Sequence, residues 1–116
     1  MFGFFKKKKC NYLALDKESV IELINNEKNV IIIDARNKEE YEASHFTGSI
    51  NMPVDEYEKL FKIYLKKKDQ IILVYSENGE DSKMLAAELA LKGYEKIVDM
   101  GKMEDYVGVL KIDKNN

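Results

Sequence analysis

Three runs of continuous apolar residues, rich in β-branched side chains, constrain this chain more than any other feature: NVIIID (29–34), QIILVY (70–75) and EKIVD (95–99). A strand with one wet face alternates apolar and polar residues, whereas continuous runs belong to strands covered on both faces. Segments of helical period lie between them. Asp16 is placed to cap KESVIELINN, where Val20, Ile21 and Ile24 share a face. KEEYEA (38–43) reads as a short polar helix. Asp55 is placed to cap EYEKLFKIYLKK, with Tyr57, Leu60, Phe61, Tyr64 and Leu65 as its apolar stripe. Ser82 is placed to cap SKMLAAELALKG, which Gly93 closes just past its end. MEDYVGVL (103–110) reads as a last short helix weakened by Gly108, and YLAL (12–15) and SIN (49–51) add short strands. Strands alternating with helices predict an α/β domain: a central, mostly parallel sheet of about five short strands with helices on both faces.

The 116 residues suit one domain, and a 45% hydrophobic fraction can build a core without disulfides or metal. The expected organisation is a flexible segment at 1–10, the domain at 11–110 and a polar tail at 111–116, KIDKNN, that frays. A net charge of -2 gives no field that would gather nucleic acid. The lysine runs at 6–9 and 66–68 lack the aromatic interleaving of single-strand binders and read as solvated faces. The one cysteine, Cys10, forms no intramolecular disulfide, and a reducing, cytoplasmic setting is expected. Cys10 follows four lysines but lies on no strand–helix turn, so it reads as a bystander thiol. MFGFFKKKK is not a signal peptide, because its apolar stretch is short and its charges follow it; weak contact of residues 1–9 with a membrane surface stays open. No run approaches the length of a membrane span.

Where the second run passes into the following helix stands SENGEDS: Ser76, Glu77, Asn78, Gly79, Glu80, Asp81 and Ser82. A turn of this kind exposes unpaired N–H groups under a favourable helix dipole, and its default ligand is an anion. A cysteine at its start would have a stabilised thiolate, and an arginine near the helix would clamp an oxyanion. The sequence supplies neither. Ser76 would need a general base, His45 is the only histidine, and the G-x-S-x-G elbow is missing. Ser76 therefore reads as a turn serine bonded to nearby backbone. Glu77, Glu80 and Asp81 repel anions, and the spacing matches no calcium loop, so no metal and no cofactor are expected.

IIIDARNKEEYEASHFTGSINMP is similar to the first hallmark of the rhodanese-like (sulfurtransferase) domain family, in which a D-V-R is followed by E-E-Y or E-E-F and G-H-I-P-G-A-I-N-I-P. Asp34, Arg36, Glu40, Tyr41, His45, Gly48, Ile50, Asn51 and Pro53 fall in place. LALKGYEKIVDMGKMEDY resembles the family's C-terminal part through Gly93, Tyr94, Val98 and Gly101, with Lys102 in place of a second glycine and Tyr106 in place of a tryptophan. The resemblance runs from about residue 11 to about residue 110. It implies a sulfur-transfer motif, C-x-x-G-x-R-[ST], at SENGEDS. There Gly79 and Ser82 match, the persulfide-carrying cysteine falls on Ser76 and the anion-clamping arginine on Asp81.

Oxygen cannot carry a persulfide, and Asp81 repels where an arginine would hold. The expectation is a catalytically silent module of this family, a protein-binding or regulatory domain with a partner at the acidic loop face. The alternative is sulfur transfer or sulfur carriage through Cys10 or a partner's thiol. Asp34, Arg36, Glu40 and His45 read as scaffold near the loop: Asp34 to bond backbone groups at the sheet edge, including those of 76–82, and Arg36 and Glu40 to pair across a short turn. Oligomeric state is open.

Overall fold

The computed structural model describes residues 11–115; the expectations for residues 1–10, Cys10 among them, lie outside the described residues. A five-stranded parallel sheet forms the centre. Its strands are β1 (Leu13–Ala14), β2 (Ile31–Asp34), β4 (Ile50–Asn51), β5 (Ile71–Ser76) and β6 (Lys96–Lys102), in the spatial order β1-β6-β5-β2-β4. A separate antiparallel pair joins β3 (Ser44–Phe46) to β7 (Ile112–Lys114). The helices are α1 (Lys17–Asn26), α2 (Lys38–Ala43), α3 (Tyr57–Tyr64) and α4 (Glu80–Leu91), with a 3-10 turn at Met103–Tyr106.

The continuous runs are explained by burial on both sides, and every residue of β5 is buried. Ile72 and Val74 face a core built with Tyr57, Phe61, Leu65, Leu85, Leu89 and Tyr94 from the α3–α4 layer. Ile71, Leu73 and Tyr75 face the other way, into a core with Val20, Leu23, Phe46, Met100 and Tyr106. With helices on both faces, alternation has no wet side to record.

Local chemistry sets the element ends. Asp16 caps α1, accepting from Ser19 N at 2.9 Å. Asn37 and Glu40 form a reciprocal capping box at α2. β2 begins at Ile31, two residues into the NVIIID run, because Asn29 turns at φ 63. Gly93 takes φ 100 just past α4 and closes it as expected.

Four expectations give way to tertiary structure. Asp55 does not cap α3: a turn on Pro53, closed by Glu56 N to Pro53 O at 2.9 Å, occupies that stretch, and the helix starts at Tyr57 without a side-chain cap. Tyr64, expected in the stripe, is 44% exposed, because α3 ends there. MEDYVGVL gives only one 3-10 turn, since Gly108 reverses the chain at φ 88. KIDKNN does not fray along its length: residues 112–114 pair with β3, and Ile112 packs on the second core.

Candidate functional site

The sheet order reverses between β2 and β5. From β2 the chain moves outward to β4, and from β5 it moves the opposite way to β6. In open parallel sheets this reversal opens a crevice at the carboxyl ends of the strands, where such folds place their ligands. Asp34 ends β2 and Ser76 ends β5, so the two stretches singled out in the sequence meet at this crevice.

Beneath it lies a closed polar network. Arg36, 6% exposed, holds Asp34, which is fully buried, through Nε at 3.1 and 3.2 Å and Nη2 at 2.9 Å. Nη2 also donates to the Ser44 carbonyl, and Arg36 N donates to Asp34 Oδ1 at 2.9 Å. Tyr75, fully buried, donates its hydroxyl to Asp34 Oδ2 at 2.6 Å and accepts from Phe46 N at 3.1 Å. Asn51 Nδ2 ties the strand ends together by donating to the carbonyls of Asp34 and Arg36. Burial, then the Asp34 charge and hydrogen bond, push the Tyr75 phenol well above its ordinary range. Burial works against the charged form of Arg36, but the hydrogen bonds and charge of Asp34 outweigh it, so its pKa is raised. No buried side-chain nitrogen or oxygen among the described residues lacks a partner.

Two scaffold expectations are corrected here. Asp34 does not reach the 76–82 backbone; its carboxylate is consumed by Arg36 and Tyr75. Arg36 does not pair with Glu40, because Asp34 is nearer along the chain and Glu40 is turned back to cap its own helix. The Arg36 fork ends instead on Glu77, with Nη1 to Oε1 at 3.5 Å. His45 also stands apart from the loop. Its ring stacks on Tyr41 at 3.8 Å, Nδ1 meets the Tyr41 carbonyl at 2.7 Å, and Nε2 lies 3.8 Å from Asp113.

The loop closes on itself. Gly79, at φ 85, directs the chain into α4, so the helix starts at Glu80 and Ser82 lies inside its first turn, not at its cap. Ser76, fully buried, accepts from Gly79 N at 3.0 Å and from Ser82 N at 3.1 Å through Oγ. That is the backbone-bonded turn serine expected from the sequence. Asn78 Oδ1 accepts from Glu80 N at 2.9 Å, which occupies a further helix-start donor. Ser82 Oγ donates to Asp99 Oδ1 at 2.8 Å, and the same oxygen accepts from Gly101 N at 2.9 Å. Asp99 thus fastens the start of α4 to β6. Glu77 and Glu80 are exposed, and Asp81 is half-buried. The Lys102 stem lies against the loop at Gly79, where its Cγ would stand 3.6 Å from an added Cβ.

Sequence reasoning missed Tyr75 and Asp99. Both stand in apolar runs that read as strand, and no local signal reveals that one carries a hydroxyl to Asp34 and the other a carboxylate to Ser82. No group of three or more His, Cys, Asp or Glu among the described residues is arranged to hold a metal ion. No helix among them is long and apolar enough to cross a membrane.

Comparisons with known proteins agree with this geometry. The Rhodanese-like domain model matches residues 16–104. The Escherichia coli thiosulfate sulfurtransferase PspE is 29% identical over 73 residues, 63% of this chain and 70% of that protein. YrkF of Bacillus subtilis, a candidate sulfur carrier protein by its description, is 28% identical over 92 residues, 78% of this chain; the chain spans about half of that relative, 49%. An E. coli structure described as rhodanese with anions superposes with a TM-score of 0.68 at 26% identity, covering 74% of this chain and 99% of that one. The Alr3790 protein of Anabaena superposes with a TM-score of 0.75 at 19% identity, covering 86% and 91%, which speaks for the fold alone.

Proposed function

The chain belongs to the rhodanese-like domain family, and from that premise we propose that it is a catalytically silent member, a binding or regulatory module that meets a protein partner at the acidic face of the 76–82 loop. One observation carries the reading: Ser76 is fully buried and its Oγ accepts both Gly79 N and Ser82 N. Two N–H groups that could face an anion are already taken. The hydroxyl has no base beside it, since His45 is held by Tyr41 and Asp113. Where the resemblance asks for an arginine, Asp81 adds negative charge to Glu77 and Glu80. A basic or neutral partner surface suits such a face.

Relatives described as a thiosulfate sulfurtransferase and a candidate sulfur carrier define the activity to test. Purified protein and its Cys10→Ser variant are assayed for cyanide-dependent sulfur transfer from thiosulfate. Neither is expected to turn over above buffer. Turnover by the parent that disappears in Cys10→Ser would make Cys10 the sulfur carrier and end the silent reading. Repair mutants sharpen the same point. Ser76→Cys alone is expected to restore little transfer, because Asp81 still repels the donor; Ser76→Cys with Asp81→Arg is expected to restore more. A robust single mutant would mean that the carboxylates matter less than their charge suggests. For the partner, Glu77→Gln, Glu80→Gln and Asp81→Asn together are expected to weaken capture of proteins by the immobilised chain. Unchanged capture would remove the acidic face from the proposal.

A further inference from the structure

Asn78 is the one asparagine in the chain that is followed by glycine. Glycine has no Cβ to screen its backbone nitrogen, so the Gly79 nitrogen is sterically open to the side-chain carbonyl before it. Asn78 is exposed and stands between the end of β5 and the start of α4. Two hydrogen bonds act on this pair of groups in opposite directions. Glu80 N donates to Asn78 Oδ1 at 2.9 Å, which polarises the side-chain carbonyl and would steady negative charge on its oxygen. Gly79 N donates to Ser76 Oγ at 3.0 Å, which keeps on the nitrogen the proton that an attack must lose. Ser76 Oγ is itself fixed, since Ser76 is fully buried and also accepts from Ser82 N at 3.1 Å. The electrophile is primed and the nucleophile is guarded.

We propose that Asn78–Gly79 is a self-modification site that the Ser76 hydroxyl keeps latent, and that opening of the loop releases it. In the reaction the Gly79 nitrogen gives its proton to water or hydroxide and bonds to the Asn78 side-chain carbonyl carbon. The bond from that carbon to the amide nitrogen breaks, and the nitrogen takes a proton from solvent and leaves as ammonia. Water then opens the cyclic imide at either of its carbonyls. One opening leaves an aspartate. The other leaves an isoaspartate, whose main chain runs through the former side chain. Water enters and ammonia leaves, and no oxidant or reductant is consumed.

Both products put a further carboxylate beside Glu77, Glu80 and Asp81. They differ in what they do to the loop. An aspartate keeps an oxygen where Asn78 Oδ1 accepts from Glu80 N, and its charge lies at the start of α4, where the helix dipole favours it. An isoaspartate lengthens the main chain between Ser76 and Gly79, which displaces Gly79 N from Ser76 Oγ and loosens the loop from inside. The change is one-way and adds charge to the face assigned to a partner. That consequence rests on the acidic-face reading, whereas the chemistry stands without it.

The test is peptide mass spectrometry of the full chain incubated at mildly alkaline pH. It reads the mass gain at Asn78 and, with isoaspartate methyltransferase, the isoaspartate share, so it reports the chemistry whether or not a partner exists. The parent is expected to convert many-fold more slowly than the same chain unfolded in urea. Ser76→Ala is expected to convert several-fold to about tenfold faster than the parent, the factor that one lost net hydrogen bond supplies. Ser76→Cys, which keeps a weaker acceptor, is expected to fall between them. Leu65→Ala controls for general loosening: it truncates a buried side chain where the chain leaves α3 for β5, and costs at least as much stability as Ser76→Ala. Its rate is expected to stay close to the parent's. A parent that converts as fast as the unfolded chain overturns the guard, and so does a Ser76→Ala chain no faster than the parent. Leu65→Ala matching or exceeding Ser76→Ala overturns it as well, because the site would then open only with the whole fold.

Discussion

The Asp34–Arg36–Tyr75 network and the 76–82 loop are neighbours across one crevice, yet they have opposite characters. The network matches the motif residues read from the sequence at Asp34, Arg36 and Asn51, and its buried polar atoms are satisfied. The loop carries a left-handed Gly79 and Ser82, with Ser76 and Asp81 at the positions where the resemblance implies a cysteine and an arginine. The difference separates two demands. The buried carboxylate and its guanidinium bond groups at the strand ends, a role independent of any reaction. A thiol and an arginine at the loop are needed only for a reaction. The loop's present side chains serve shape: Ser76 binds the turn from inside, and Asp99 holds Ser82 from beside.

If that separation is sound, the largest loss comes from the network. Asp34→Ala would leave the Arg36 guanidinium buried at 6% exposure without its counter-charge and would leave the Tyr75 hydroxyl without its acceptor. Breaking one side of a buried pair costs about 3–5 kcal/mol. Urea unfolding should show that loss as a lower midpoint with an unchanged slope. A loss below about 1 kcal/mol would break the comparison, because the network would then be no more structural than the loop.

Ser76→Ala is expected to rank second. It removes the acceptor shared by Gly79 N and Ser82 N, and Ser82 is fully buried, so at least one donor is left without a partner. A cost of about 1–3 kcal/mol follows from an unsatisfied buried donor. Ser76→Cys, which keeps an acceptor in place, should lose less in the same unfolding experiment. Equal losses would mean that Ser76 is held by packing and that its hydrogen bonds are incidental.

The sequence made the network and the loop legible for different reasons. Asp34, Arg36 and Asn51 lie within one contiguous stretch, so a short motif reports them. The self-bonding of Ser76 was also readable, because a serine in a tight turn has few other partners. Tyr75 and Asp99 were not, since their partners are 41 and 17 residues away and strand patterning records only which side chains are buried. The central strands and the four helices followed from periodicity, whereas the 3-10 turn, the β3–β7 pair and two helix starts did not. Pro53 took residues that looked like a helix cap, Gly79 started α4 ahead of Ser82, and β3 recruited Ile112 from a stretch that looked like a tail. Each was decided by a contact or a backbone angle that a residue's own neighbourhood does not announce.

Glu77 is the joint between the two regions, and the smallest effect is expected there. Its carboxylate is the last acceptor of the Arg36 fork, at 3.5 Å, while Glu77 itself is 66% exposed. An exposed ion pair at that distance is screened and is worth at most about 0.5 kcal/mol. Glu77→Gln should therefore leave the unfolding midpoint almost unchanged in 0.15 M salt, since Asp34 and the Ser44 carbonyl continue to hold the guanidinium. Measuring the same variant at low and high salt sharpens the point, because the small difference should vanish as salt rises. A loss of 2 kcal/mol or more, well beyond what such a pair supplies, would mean that the loop and the network form one unit. The acidic loop would then be part of what keeps the strand ends together, and its charge could not be read as a face shaped for a partner.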